Sequence, residues 1–372
     1  MTTIQRAAAY IDLGILEENY NTIRSKLSTE VGLLCVVKAD AYGHGAIEVS
    51  RRLELLGAIY LGVATIDEAI ELRTNKIKIP ILVMSGIMPW DDVSILLQQD
   101  LTPVIYDLTT LAKICTMAKS FQTPLRIHLK FDTGMGRLGF MTDDVSEVVD
   151  LVECAENIKV DGLMSHFSSS EIRDDYGIGQ VNAFSKVTEK FAKRGFQAKF
   201  IHMANSGAIT NYPEAHFTMV RAGISLYGSH STLELKKQLP TRPVLRFTSR
   251  IALIREFPAG HALSYGRTYV TSRKTKVAYI PVGYTDGYPR SLSNKGSVLI
   301  NNNRCKIIGR ICMDWFLVDI TGLNEVNIED EVILLGESKT DAVTAYEVGE
   351  ISDTIPYEIL CKISKRVTRV YI

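Results

Sequence analysis

Between residues 31 and 228 the sequence alternates, eight times over, a short strand-like run with a longer stretch, and few folds accept that pattern. The runs are Leu33 to Val37, Tyr60 to Ala64, Ile79 to Met84, Pro103 to Tyr106, Arg126 to Phe131, Gly162 to Ser165, Phe200 to Met203 and Met219 to Ala222. They are too short for helices and rich in Val, Ile and Leu, as parallel strands buried on both faces require. Helical periodicity fills most of the gaps, as at Asp67 to Thr74, Leu108 to Lys119, Asp143 to Ala155 and Ile178 to Arg194. Eight such units in about two hundred residues predict an α/β fold of the (β/α)8, TIM-barrel type. An open doubly wound sheet fits less well, because no G-x-G-x-x-G follows the first run.

After Tyr227 the pattern changes, and Pro240 and Pro243 mark a boundary that divides residues 1–240 from 241–372. The second part is predicted to be a mainly β domain, with short runs at Thr248 to Ile254, Lys276 to Ile280, Ser297 to Ile300, Lys306 to Ile308, Trp315 to Asp319 and Glu331 to Leu335. Turn-forming sequences separate them. Residues 1–12, where Ala8 to Asp12 reads as a strand, are expected to join this second domain in space.

Forty-two basic residues balance 42 acidic ones, so no bulk field draws nucleic acid or an anionic membrane to the chain. No apolar run reaches the length of a membrane span, and Met1 to Gln5 is polar, so a cytoplasmic protein acting on a small molecule is expected. The six cysteines form no C-x-x-C pair, which argues for reduced thiols rather than a disulfide framework or a zinc site.

Chemistry-bearing residues fall where the barrel strands end. Lys38 follows the first run within Val37-Lys38-Ala39-Asp40-Ala41-Tyr42-Gly43-His44-Gly45. An amine held there, partly out of water, loses some preference for its charge and becomes a nucleophile able to hold a carbonyl as a Schiff base. Lys130 stands near the end of the fifth run with Asp132 and Arg137 after it, His166 follows the sixth and Asn205 with Ser206 the seventh, while Arg221 lies in the eighth. Polar groups converging on that face make a site. Gly223 and Gly228 leave backbone amides unshielded near Arg221, a natural setting for a phosphate. In the second domain Leu263 to Tyr269, Pro281 to Tyr288 and Ile311 to Asp314 carry more reactive side chains than a β framework needs.

Taken together, these segments resemble the alanine racemases, pyridoxal phosphate enzymes built from an α/β barrel and a C-terminal β domain. The resemblance runs over nearly the whole chain: VKADAYGHG at 37–45, HLKFDTGMGRLGF at 128–140, SHF at 165–167, ANS at 204–206, RAGI at 221–224, LSYG at 263–266, GYTDG at 283–287 and ICMD at 311–314. It implies that Lys38 holds pyridoxal 5'-phosphate as a Schiff base and serves as one catalytic base, with Tyr265 of a partner subunit as the other. That sharing implies a homodimer. Tyr42, Ser206, Gly223, Ile224 and Tyr357 would bind the phosphate, Arg221 would face the pyridine nitrogen and Arg137 the ring's phenolic oxygen. His166 would link Arg221 to Tyr265. Met313 would meet the substrate carboxylate, and Tyr284 and Tyr357 would narrow the entrance. Lys130 matches a position that is carbamylated in several relatives; an unmodified Lys130 paired with Asp132 is the alternative.

The implied reaction is the interconversion of L- and D-alanine, which in a bacterium supplies D-alanine for peptidoglycan. Relatives that racemise serine, lysine or a broad range of amino acids share the same catalytic pair. A non-catalytic pyridoxal phosphate carrier has the barrel and lysine but not the β domain. Related basic amino acid decarboxylases use a longer glycine-rich phosphate loop, which is not present. A metal-dependent hydrolase built on His128, His166 and His202 would need an H-x-H on the first strand, and there is none.

Overall fold

The structure is a computed structural model and describes residues 5–372. Eight parallel strands form the barrel: β2 (Gly32–Val36), β3 (Tyr60–Val63), β4 (Ile81–Val83), β5 (Leu101–Ile105), β6 (Leu125–Lys130), β7 (Ile158–Met164), β8 (Phe200–His202) and β9 (Met219–Ala222). They pair in chain order from β2 to β8, and β9 returns to lie beside β2. The seam between β8 and β9 is bridged by Thr218 N–H to the Ile201 carbonyl at 3.1 Å and Arg221 N–H to the Ala204 carbonyl at 2.9 Å. Strands β3, β4 and β5 are buried at every position, as a barrel wall covered by helices demands.

The helices begin where the local chemistry allows. Asp107 caps the helix Leu108–Ala118 through Thr110 N–H at 2.8 Å, and Asp174 caps Asp175–Lys193 through Gly177 N–H at 2.7 Å. Thr65 and Glu68 form a reciprocal capping box ahead of Ile66–Thr74. Inside the barrel Tyr60 meets His128 and Phe200 edge to face, and His128 stacks on Phe200, with centroids 5.2 to 6.0 Å apart. The interior is therefore filled, and open space is left at the strands' C-terminal ends.

The remaining sheet runs in the order β11 (Leu253–Phe257), β14 (Thr275–Ile280), β17 (Phe316–Asp319), β16 (Asn303–Ile308), β15 (Ser297–Ile300), β18 (Glu331–Glu337), β10 (Leu245–Arg250), β1 (Ala7–Ile11) and β20 (Thr368–Tyr371). A two-residue strand, β19 (Ala342–Val343), pairs with β18, and β12 (Ala262–Leu263) and β13 (Tyr269–Val270) make a separate hairpin. The first described strand thus belongs to this sheet, antiparallel to β10 and parallel to β20. Two details differ from the sequence reading. The single run Thr248 to Ile254 is two strands, because Ile251 N–H bonds to Asp330 and Ala252 N–H to Tyr279, which carries the chain from one part of the sheet to another. Two helices, Ala345–Ile351 and Pro356–Cys361, also interrupt the β pattern, and the second bears Tyr357.

Candidate active site

Lys38 sits just past β2, at the start of a turn in which Ala39, Asp40, Ala41 and Tyr42 all adopt left-handed backbone angles, φ 52 to 54°. Four such non-glycine residues in a row are disfavoured by contact of Cβ with the following carbonyl, so outside contacts must hold them. Ala39 N–H donates to Glu68 Oε1 at 2.7 Å, Ala46 N–H to Asp40 Oδ1 at 2.8 Å, and Gly45 N–H to the Asp40 carbonyl at 2.9 Å. The turn presents Lys38 and Tyr42 to the same space. Glu68 was missed in the sequence reading: its T-x-x-E capping signal is visible, but its reach back to Ala39 is a tertiary contact.

That space is a cavity of about 350 Å³ at the C-terminal mouth of the barrel, within the range of small-molecule sites. It is lined by Lys38, Tyr42, Lys130, Arg137, His166, Ser206, Arg221, Gly223, Ile224 and Tyr357. Met84, Ser85, Leu138 and Met164 also line it, and nothing in their sequence context distinguishes them from ordinary barrel residues. Four of the lining side chains are cationic and none is a carboxylate, so the cavity favours an anion. Burial, and then Arg137, lower the pKa of Lys38, which raises the share of neutral, nucleophilic amine.

Arg221 is buried and organises the floor. One terminal nitrogen donates to His202 Nδ1 at 2.8 Å and to the His202 carbonyl at 3.0 Å. The other donates to His166 Nδ1 at 3.0 Å and to the carbonyls of Ser165 and Met203, each at 2.9 Å. A guanidinium can only donate, so both imidazoles accept through Nδ1 and carry their proton on Nε2. His202 Nε2 then faces His128 Nδ1 at 2.9 Å. Burial, followed by Arg221, pushes His166 well below its usual range, so it stays a neutral ring with an Nε2–H donor. His128 and His202 are thus spent on each other and on Arg221, and no group of three or more His, Cys, Asp and Glu side chains suited to a metal occurs among the described residues.

Lys130 is buried at the end of β6, where desolvation and then Arg137 lower its pKa to about 8. The pairing with Asp132 does not form. Asp132 instead accepts from the backbone N–H groups of Gly134 and Met135 at 2.8 Å and Arg137 at 3.1 Å, and Lys130 has no ion-pair partner among the described residues.

Tyr265, Tyr284 and Met313 do not line this cavity. They lie on the β domain, 71%, 42% and 52% exposed. The three segments singled out in the sequence converge there: Tyr284 N–H bonds to the Cys312 carbonyl at 3.1 Å, and Ser264 Oγ to the Arg310 carbonyl at 2.7 Å. Trp315, 45% exposed, extends the same stretch of chain.

The fold is matched by known proteins. The model of the alanine racemase N-terminal domain matches residues 11–231, and that of the C-terminal domain matches residues 244–371. The chain belongs to the alanine racemase family. An alanine racemase of Halothermothrix orenii is 40% identical over 364 residues, covering 98% of this chain and 96% of that protein. Alanine racemase 2 of Caldanaerobacter subterraneus subsp. tengcongensis is 38% identical, covering 97% and 94%. Among solved structures, the alanine racemase of Clostridium difficile 630 superposes with a TM-score of 0.94 at 37% identity, covering 100% of this chain and 97% of that one. The alanine racemase of Bartonella henselae with covalently bound pyridoxal phosphate gives 0.87 at 28%, covering 99% and 100%.

Alanine racemases are isomerases that depend on pyridoxal phosphate, and the cavity suits that cofactor. Its cationic lining matches a phosphate and a phenolate. At Gly223 an added Cβ would lie 2.9 Å from Tyr42 Oη and 3.6 Å from Ser206 Oγ, so glycine keeps a polar cradle open there. Ser206 Oγ accepts from Gly223 N–H at 2.9 Å, which fixes the hydroxyl at the cavity wall. Arg221 keeps Nε–H as its one donor without a partner among the described residues. No helix is long and apolar enough to cross a membrane among the described residues.

Proposed function

We propose that this chain interconverts L- and D-alanine by a two-base mechanism, with Lys38 on one face of the substrate and Tyr265 from a second copy of the chain on the other. Pyridoxal phosphate, when bound, supplies an electron sink that stabilises negative charge on the substrate's α-carbon. Lys38 would hold the cofactor covalently, Tyr42, Ser206, Gly223, Ile224 and Tyr357 its phosphate, Arg137 its phenolic oxygen and Arg221 its ring nitrogen.

Inversion requires removing the α-proton on one side and returning one on the other, so two acid–base groups must flank a planar carbon. Lys38 Nζ, with its lowered pKa, takes or gives the proton on its face. On the opposite face Tyr265 Oη does the reverse, and His166 Nε2–H is the donor available to stabilise its phenolate. An arginine rather than a carboxylate at the ring nitrogen discourages its protonation and weakens the sink, which limits side reactions such as transamination. Met313 would meet the substrate carboxylate, and Tyr284 and Tyr357 would restrict the entrance to a small side chain.

The observation that carries the reading is the pairing of a carboxylate-free cationic cavity in the barrel with a projecting face of Tyr265, Tyr284 and Met313 on the β domain. Each is half of a site, and a dimer in the cytosol with the two halves shared would complete both. The test is incubation with L-alanine in heavy water, following α-deuterium and chirality together. Deuterium gained with inversion is expected; exchange without inversion would leave the second base without support. Tyr265→Phe should retain the cofactor and lose racemisation by about 10²- to 10⁴-fold. Unchanged turnover would remove Tyr265 from the mechanism.

A further inference from the structure

The turn that carries Lys38 is held at its two ends by different elements. Glu68 accepts from Ala39 N–H at the near end. The far end, Gly43 to Gly45, rests on the chain's last strand, β20, and on the helix Pro356–Cys361. Alternation along β20 sends Arg369 and Tyr371 to the same face. Arg369 Nε–H and one terminal nitrogen both donate to the Gly43 carbonyl, at 3.2 and 3.1 Å, and an added Cβ at Gly45 would lie 1.9 Å from Tyr371 Oη. At Gly43 an added Cβ would lie 2.3 Å from the Leu360 carbonyl oxygen, so turn and helix meet backbone to backbone.

Arg369 spends every donor it has. The same terminal nitrogen also donates to the Ile363 carbonyl at 2.7 Å, and the other donates to the carbonyls of Val367 at 2.9 Å and Ser364. All five N–H groups of the guanidinium thus go to four backbone carbonyls, three in the connection that leads out of the helix Pro356–Cys361 and one at the end of the Lys38 turn. Carbonyl oxygens converging on one point repel unless a cation stands between them, and a charge-assisted bond is about twice as strong as a neutral one. A lysine would supply the charge from a single nitrogen, but not the planar fork that reaches all four. What the fork joins is Tyr42, next to Gly43, and Tyr357, on the helix. Their ring centroids lie 6.1 Å apart, and both residues line the cavity.

We propose that Arg369 is a positioning residue for the phosphate end of the bound cofactor, setting the separation of Tyr42 and Tyr357 from outside the cavity. Arg369 is not among the residues that line it. Its loss leaves Glu68 on Ala39, so Lys38 keeps its place while Tyr42 and the helix that bears Tyr357 come apart. The effect therefore falls on the phosphate and spares the aldehyde that Lys38 takes, given the reading of Tyr42 and Tyr357 as phosphate ligands on which this role rests.

The experiment titrates the full chain, freed of cofactor, with pyridoxal phosphate and with pyridoxal, which has the aldehyde and no phosphate, and follows Schiff-base absorbance. Arg369→Gln should bind pyridoxal phosphate about tenfold more weakly, the scale of one lost charge-assisted hydrogen bond, and pyridoxal within about twofold of the parent. Arg369→Lys, which keeps the charge and loses the fork, should fall between, at about threefold, and decides the matter alone if Arg369→Gln does not fold. The control is Arg73→Gln. Arg73 likewise donates to four backbone carbonyls, those of Ile77, Ile79, Gln99 and Asp100, but at the opposite end of the barrel strands, so its loss should leave the preference for the phosphate unchanged. A parent-like preference in the Arg369 variants, equal weakening toward both aldehydes, or the same lost preference in Arg73→Gln would overturn the positioning role. A parent chain that itself binds both aldehydes equally would overturn the phosphate reading of Tyr42 and Tyr357, and the role of Arg369 with it.

Discussion

The turn after Lys38 stands in a conformation that its own residues disfavour, and Glu68 ties down its first amide. Each L-residue in the left-handed region costs about 1–2 kcal/mol, so Ala39 to Tyr42 together hold roughly 4–8 kcal/mol of unfavourable backbone energy. The Glu68 carboxylate accepts from Ala39 N–H at 2.7 Å and from Ala64 N–H at 2.6 Å. A hydrogen bond to a charged group contributes about 1.5–3 kcal/mol, and a half-exposed carboxylate belongs near the lower end. Glu68→Ala therefore costs about 3 kcal/mol of stability in all, of which about 1.5 kcal/mol comes from the Ala39 bond and bears on the turn. That is enough to let Ala39 relax out of the left-handed region in the cofactor-free protein, and pyridoxal phosphate must then restore it. About 1.5 kcal/mol corresponds to roughly tenfold weaker cofactor binding. Titration of the cofactor-free protein, followed by Schiff-base absorbance, measures this directly. Thr65→Ala is the control: it removes the cap on Glu68 N–H at 3.3 Å, about 1 kcal/mol, but leaves the Ala39 bond in place. Cofactor affinity within twofold of the parent in Glu68→Ala, or an equal loss in Thr65→Ala, would refute the account.

Gly223→Ala should fold, since Gly223 does not need a left-handed backbone, yet bind pyridoxal phosphate at least about tenfold more weakly because its Cβ enters the space beside Tyr42 Oη; the same titration tests this. Lys130, lowered from 10.5 to about 8, is neutral in the folded chain and protonated in the unfolded one between those values, so the unfolded state binds more protons and stability rises with pH across that window. Denaturant titrations of the parent and Lys130→Met should differ by that rise, and a parallel pair of curves would contradict it. Carbamylation needs the neutral amine, so the carbamate signal of Lys130 in ¹³C-bicarbonate NMR should grow as pH passes about 8; a signal absent throughout would assign the unmodified form. Arg221→Glu should raise transamination relative to racemisation, followed by formation of the keto acid, and no rise would count against the weak-sink argument.

What could be read in the sequence and what could not divides along a physical line. The barrel was legible because its strands are buried on both faces and announce themselves as short apolar runs, and because a polar residue just past such a run can only stand at the barrel mouth. Lys38 and His166 are placed by that rule, and Lys130 and Arg221 by lying near the ends of their own runs. The break at Ile251 and Ala252 was hidden, since both residues are apolar and only their different backbone partners, Asp330 and Tyr279, end one strand and begin the next. The helix Pro356–Cys361 was hidden for another reason: six residues complete fewer than two turns, too few for a period to stand out. The turn from Ala39 to Tyr42 ran against local preference, as only Asp40 among Ala-Asp-Ala-Tyr tolerates left-handed angles, and then as a single residue. Local preference fails there because the conformation is imposed from a distance, by a carboxylate 29 residues away and by Tyr42 packing against Tyr227 and Tyr357 at 5.0 and 6.1 Å. A segment that neighbours force against its own preference is one whose conformation serves something other than its own stability, and here it delivers a lysine and a tyrosine to one cavity.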